Sequence, residues 1–196
     1  MRLPGRRDGP IDWLIVGLGN PGAEYDGTRH NIGFEVANVL AQRWGPPRAK
    51  SKYRGLLTQG KTGPGGARVA VLLPQTYMND AGRSVGAARG AAKVDLDHLL
   101  VIHDEIDLPF GEIRTRVGGG LAGHNGLKSI RQAVGSPDFA RVRIGVGRPP
   151  TTDPDEVAAY VLSKFREPRR DVELVVEQAA DAAERLVRGE DGADLD

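Results

Sequence analysis

A handful of polar residues, each at the edge of an apolar stretch, are the ones whose types could do chemistry in this chain. Asn20 follows the run Leu14–Leu18, His30 and Asn31 head the first helical pattern, and Tyr77 and Asn79 follow Ala67–Leu73. Asp104 follows Leu99–Ile102, and His124 with Asn125 opens a helical pattern after a run of glycines. A histidine near its ordinary pKa can take a proton from water when a carboxylate orients its other ring nitrogen. Asparagine amides can donate to a developing oxyanion or grip a carbonyl. Asp104 is the best-placed acid for such a pair. The chain has no cysteine, only five serines, and no G-x-S-x-G string. A thiolate is therefore excluded and a serine elbow is not expected, so direct attack by an activated water fits best. Each residue also has an ordinary use: a histidine at a helix start can cap it, and asparagine in a turn bonds its own backbone.

The string "LIVGLGNPG" contains G-x-G-x-x-G at Gly17, Gly19 and Gly22. A dinucleotide turn would run from Gly22 straight into a helix and meet an acidic residue about 20 positions later at the end of the next strand. Here the polar string "AEYDGTRHN" intervenes, and "WGPPRAKSKYRG" stands where the acidic strand end should be. The glycines instead make a tight turn that displays Asn20 at a strand's carboxyl end, where open α/β sheets bind ligands. His98, His103 and Asp104 raise the question of a metal, but no H-E-x-x-H or H-x-E-x-H spacing occurs, and no metal site is expected. His98 reads as a surface residue and His103 as a strand-end residue with no assigned chemistry.

The elements that must position these groups alternate. Apolar, β-branched runs at Trp13–Leu18, Arg54–Gly60, Ala67–Leu73, Leu99–His103, Glu112–Val117 and Arg141–Gly147 predict strands. Helical periodicity predicts helices over Asn31–Trp44, Asp80–Lys93, Gly126–Gly135, Asp153–Phe165 and Arg169–Gly189, the fourth opening on an Asp-Pro cap. Alternation of this kind predicts an α/β fold, a twisted, mixed and largely parallel sheet flanked by helices. Arg54–Leu73, around "KTGPGG", reads as a hairpin. A parallel-type sheet gathers strand ends on one edge, which would bring the polar strings together.

The chain of 196 residues suits one domain, set at 12–189, with a disordered lead over 1–11 and an acidic flexible tail over 190–196. The lead lacks the apolar segment of a signal peptide, no run approaches the roughly 20 apolar residues of a membrane span, and the lack of cysteine fits a reducing cytoplasm. Net charge is +1, but its distribution is uneven: residues 111–150 carry seven basic and two acidic side chains, and residues 166–196 carry five basic and ten acidic ones. A basic region beside an acidic end suits a polyanion bound on one face, as it would also suit a solvated surface. At 5% aromatic content no stacking platform for bases is expected.

Taken in order, "GLGNPGAEYDGTRHNIGFEV", "PQTYMN", "HDEIDLPFGEIRTRVGGGLAGHNGLKSI" and "FARVRIGVGRP" resemble bacterial peptidyl-tRNA hydrolase over about Trp13–Phe165. The resemblance implies a single-domain α/β enzyme, acting in the cytoplasm as a monomer without a cofactor or obligate protein partner. It would hydrolyse the ester between a peptide and the 3′ end of tRNA, recycling tRNA from chains released early. His30 of "TRHN" would be the base and Asp104 of "HDE" the acid that holds it. Asn20 of "GNPG" would distinguish blocked from unblocked aminoacyl-tRNA. Tyr25, Tyr77, Asn79 and Asn125 would touch the tRNA end or its peptide, Met78 would line the peptide pocket, and His124 would partner the acid. Arg114, Arg116 and Arg143 would clamp acceptor-end phosphates. A nucleotide-dependent enzyme and a non-catalytic RNA-binding relative of the same fold are the alternative readings.

Overall fold

The computed structural model describes residues 9–46 and 48–190 of the chain. β1 (Trp13–Gly17), β4 (Arg68–Pro74), β5 (Leu99–Glu105) and β7 (Ala140–Gly145) pair in parallel, forming the centre of a seven-stranded sheet. β3 (Gly55–Lys61) runs antiparallel to β4, and β2 (Lys50–Lys52) to β3, at one side; β6 (Ile113–Val117) closes the other side antiparallel to β7. The strand order is β2-β3-β4-β1-β5-β7-β6. The sheet is thus mixed with a parallel centre, and Arg54–Leu73 forms the expected hairpin.

Both faces of the central strands are apolar because both are covered, as parallel strands require. One face packs Ile15, Val71, Ile102 and Ile144 against α1 (Ile32–Trp44) and α5 (Arg169–Val187). The other packs Leu14, Val16, Leu72 and Val101 against α2 (Ala81–Ala92) and α3 (Asn125–Val134). α4 (Pro154–Val161) stands apart: none of its residues is buried, and Asp153 caps it by accepting from the Asp155 and Glu156 N–H groups. Its helix stops short of the expected Phe165 because residues beyond Leu162 turn away, and Lys164 bridges to Thr28. Among the described residues no helix is long and apolar enough to cross a membrane.

β2 is absent from the sequence reading. Its three residues are exposed lysines and a serine, a composition that protects a sheet edge but carries no alternating apolar signal. The two-residue turn into β3 has positive φ at both Tyr53 and Arg54. That backbone is ordinarily marked by Asn-Gly, so the hairpin leaves no trace in composition. The lead and tail assigned from sequence fall mostly outside the described residues; Ile11 packs, partly buried, against the second core.

Of the opening motif's glycines, Gly22 takes a φ of 111° in the turn after Asn20, whereas Gly17 serves packing together with Gly33. A Cβ on Gly17 would lie 2.2 Å from the Gly33 carbonyl oxygen, and one on Gly33 would lie 2.5 Å from the Ile102 carbonyl oxygen. The start of α1 therefore rests backbone against backbone on β1 and β5. The Leu18 carbonyl accepts from the Phe34 N–H at 3.1 Å. Gly33→Ala is expected to destabilise the fold by about 3 kcal/mol, at the top of the overpacking range, because the atoms it meets are main chain. Urea unfolding of the variant checks this; an unchanged midpoint would mean that α1 can move off the sheet.

Candidate active site

Residues 28–31 reach in several directions at once. They form a 3-10 turn, Arg29–Asn31, directly ahead of α1, where the sequence pattern places the helix start itself. His30 comes from this turn and Asp104 from β5, inside the strand. His30 Nδ1 lies 2.9 and 3.0 Å from the two Asp104 oxygens. His124 approaches the same carboxylate from the start of α3, with Nε2 2.8 Å from Oδ1.

The hydrogen bonds assign the protons. His124 Nδ1 caps α3 by accepting from the Gly126 and Leu127 N–H groups at 3.1 and 3.4 Å, so Nε2 carries the proton and donates to Asp104. His30 donates from Nδ1, which leaves Nε2 with its lone pair towards the groove. Three ligand atoms of His30, Asp104 and His124 lie within 4.8 Å of one another, a spacing that a metal could use. Yet both imidazoles turn proton-bearing nitrogens to the carboxylate, and the backbone cap fixes the tautomer of His124, so this donor set is built for hydrogen bonds and does not fit a metal.

Burial disfavours the charged form of His30, but the Asp104 charge and hydrogen bond outweigh it and raise its pKa. Burial alone would raise Asp104; the two imidazoles and their hydrogen bonds hold it well below the usual carboxylate range. His103, read from sequence as a strand-end residue without a task, is buried in β5 beside His124, at 5.1 Å between ring centroids. Burial and then the His124 neighbour push it down to about 3, so it stays neutral. Its Nδ1 donates to the Asp104 carbonyl at 2.8 Å.

Asn20 is held on three sides. Its N–H donates to Asn31 Oδ1 and its carbonyl accepts from Asn31 Nδ2, both at 2.9 Å. Its Oδ1 accepts from the Met78 N–H at 2.7 Å, which leaves the NH2 group as the part free to act. Asn31 is thus a positioning residue to which the sequence reading gave no task; the signal was its place beside His30, but not its direction.

Asn20, His30, Asp104, Tyr77, Met78, Asn79, His124 and Asn125 line one open groove of about 600 Å³. Val157, Ala158 and Val161 of α4 form its apolar side, with Lys128 and Arg148 also on its wall, none of them singled out from sequence as site residues. Tyr25 does not line the groove but meets Tyr77, which does: its ring is edge-on at 6.5 Å, and Tyr77 is 61% exposed. The two tyrosines, far apart in sequence, meet edge-on at 76° between planes and so form a contact, not a parallel stacking surface.

The three predicted arginines lie outside the groove, on β6 and β7. Arg114 is opposite Arg143 and Arg116 opposite Arg141 in the antiparallel register, so the four side chains share a face. Like charges directly opposed are unfavourable. Two carboxylates offset them in part: Glu112 accepts from Arg114 Nε at 2.6 Å, and Glu105 from Arg143 Nε at 3.3 Å. Arg141 is fully buried, lowered to about 10 by burial and then by Arg116 and Arg143, and donates to the carbonyls of Gly119, Gly120 and Pro137. It anchors the glycine-rich loop ahead of His124.

A mixed α/β sheet presents a buried carboxylate–imidazole pair to an open groove, an arrangement suited to hydrolytic chemistry. The peptidyl-tRNA hydrolase family model matches residues 14–194, and the chain belongs to that family of hydrolases. Peptidyl-tRNA hydrolase from Anaeromyxobacter dehalogenans is 49% identical over 176 residues, covering 89% of each chain. That of Mycobacterium avium is 49% identical over 177 residues, covering 89% of this chain and 90% of its own. The crystal structure of the Acinetobacter baumannii enzyme superposes with a TM-score of 0.78 at 38% identity, covering 91% of this chain and 90% of that one.

A base must be neutral to act, so kcat/KM should rise with pH through an inflection above the ordinary histidine value of about 6.5. In Asp104→Asn the burial penalty is no longer offset, and the inflection should fall below that value while the rate drops. The ion pair's contribution to stability has the opposite sense, present at low pH and lost as pH rises through the His30 pKa. Parallel pH–rate profiles of the two proteins check the direction; an inflection that stays put would separate Asp104 from the titrating group.

Proposed function

We propose that the chain hydrolyses the ester between a peptide and the 3′-terminal ribose of tRNA, with water activated by His30. The observation that carries this reading is the His30 Nδ1–Asp104 contact at 2.9 Å, with Nε2 left open to a groove lined by amides. His30 Nε2 takes a proton from water as the oxygen attacks the ester carbonyl, and Asp104 stabilises the imidazolium. The imidazolium then returns the proton to the departing ribose oxygen. The NH2 groups of Asn20, Asn79 and Asn125 are candidates to hold the carbonyl or its oxyanion. The chemistry needs no cofactor, since this chain provides base, orienting acid and donors.

Selectivity follows from the same groups. A peptidyl ester presents a neutral amide near its carbonyl, where an unblocked aminoacyl ester presents an ammonium. The two carboxylates lining the groove are already engaged: Asp104 by two imidazoles, and Glu105 by Arg143 and the Asp107 N–H. An ammonium would be desolvated without a partner, at a cost of several kcal/mol, equivalent to hundreds-fold or more in rate.

Arg114, Arg116 and Arg143 form the face that would hold acceptor-end phosphates, and opposed cationic pairs with too few carboxylates gain from a polyanion. Tyr25 and Tyr77 stand between the groove and solvent, where the terminal nucleotide would enter. A binder that retains this fold without turnover is the competing reading, and the oriented His30 base argues against it.

Single-turnover hydrolysis of N-acetyl-aminoacyl-tRNA against the unblocked form tests the reading. Wild type should cleave the blocked substrate, His30→Ala should lose at least about a thousand-fold, and Asn20→Asp should accept the unblocked ester better. Full activity in His30→Ala would move the base elsewhere. Salt dependence tests the phosphate face: Arg116→Ala should weaken tRNA binding and reduce the slope of log K against log salt by about one. An unaltered slope would remove Arg116 from the contact.

A further inference from the structure

Arg29 immediately precedes His30, and it is buried without facing the groove. Its guanidinium Nη1 donates to the carbonyls of Tyr160 at 3.3 Å, Ser163 at 3.4 Å and Lys164 at 3.0 Å, and to Ser163 Oγ at 2.5 Å. Tyr160 lies in the last turn of α4, whose final carbonyls have no partners inside the helix, and Ser163 and Lys164 lie in the segment that leaves it. The cation also lies 4.1 Å from the Tyr160 ring centroid and 5.6 Å from that of Phe165. The main chain repeats the link: Arg29 N–H donates to the Ser163 carbonyl at 3.1 Å, and Thr28 bridges to Lys164.

α4 has no buried residue of its own, yet its Val157, Ala158 and Val161 form a wall of the groove. Beyond the Arg29 set, its C-terminal end is tied by the Tyr160 hydroxyl, which donates to the Val146 carbonyl at 2.7 Å. A substrate chain in the groove would press on α4, and Arg29, which holds the end of α4, is covalently next to His30. We propose that Arg29 is a positioning residue that couples the placement of α4 to the orientation of the His30 imidazole, so that occupancy of the peptide side of the groove aligns the base. The inference rests on the reading of His30 as the base.

Arg29→Met in the full chain removes the donors and keeps a flexible apolar stem. Single-turnover hydrolysis of N-acetyl-aminoacyl-tRNA should slow at least ten-fold at saturation, with half-saturation unchanged. The pH–rate inflection should move down as the Asp104 contact loosens. Arg29→Lys reaches the same carbonyls without the planar stack and should recover part of the rate. Combining Arg29→Met with Ser163→Ala should be no slower than Arg29→Met alone, because both cut one link. A slower rate with an unmoved inflection would overturn the coupling and leave Arg29 a packing residue. If Arg29→Met does not fold, Arg29→Lys and Ser163→Ala carry the test, with a wild-type rate and inflection in both overturning the coupling. His30→Ala run alongside separates the failures: activity retained there removes the base assignment, whereas inert Arg29 changes beside a dead His30→Ala remove only the coupling.

Discussion

The buried Asp104 carboxylate is the constraint around which the rest of the site is arranged. A lone carboxylate at 3% exposure would be costly to keep ionised. Here it accepts from two imidazoles on different elements, one from the turn ahead of α1 and one from the cap of α3. Each imidazole thereby acquires a fixed tautomer, and only His30 is left with a lone pair towards the groove. The α3 cap, by occupying His124 Nδ1, decides which of the two imidazoles keeps an open nitrogen. His103, kept neutral by burial, fills the space beside His124 without adding a charge.

Topology makes that convergence possible. The parallel centre of the sheet sends the carboxyl ends of β1, β4 and β5 to one edge, delivering Asn20, the Tyr77–Asn79 turn and Asp104 to the same groove. The antiparallel β6 and β7 lie beside them and carry opposed arginines. The glycine-rich loop, held by Arg141, joins the cationic face to His124. The cationic face and the groove therefore lie on adjacent strands.

Much of this was readable in the sequence. His30, Asp104 and Asn20 stood out because polar residues ended apolar runs, and the six predicted strands and five predicted helices all form, with shifted ends. What was not readable depended on direction or on atypical backbone. Asn31 and Arg29 flank His30 and look alike as polar residues of a turn, yet one clamps Asn20 and the other the end of α4. β2 escaped because its turn uses Tyr53 and Arg54 at positive φ. Tyr25 and Tyr77 were both singled out, but their mutual contact was not, because composition does not report which aromatic residues meet. Arg141 and Arg143 differ by two positions and share a face, but one is sealed beneath a loop and the other, part-buried, pairs with the buried Glu105.

The contact of Gly17, Gly33 and the Ile102 carbonyl has a mechanical consequence. Most elements in a protein are kept apart by side chains, which can change rotamer and let the spacing drift by tenths of an ångström. Here main chain bears on main chain, and close-packed backbone has little compliance. The height of His30 above the strand that carries Asp104 is therefore set by a hard stop, not by a cushion. Substitutions elsewhere in the two cores can then lower the melting temperature while leaving the spacing of His30 and Asp104 as it was. In this molecule, durability of the fold and tuning of the site are separable quantities.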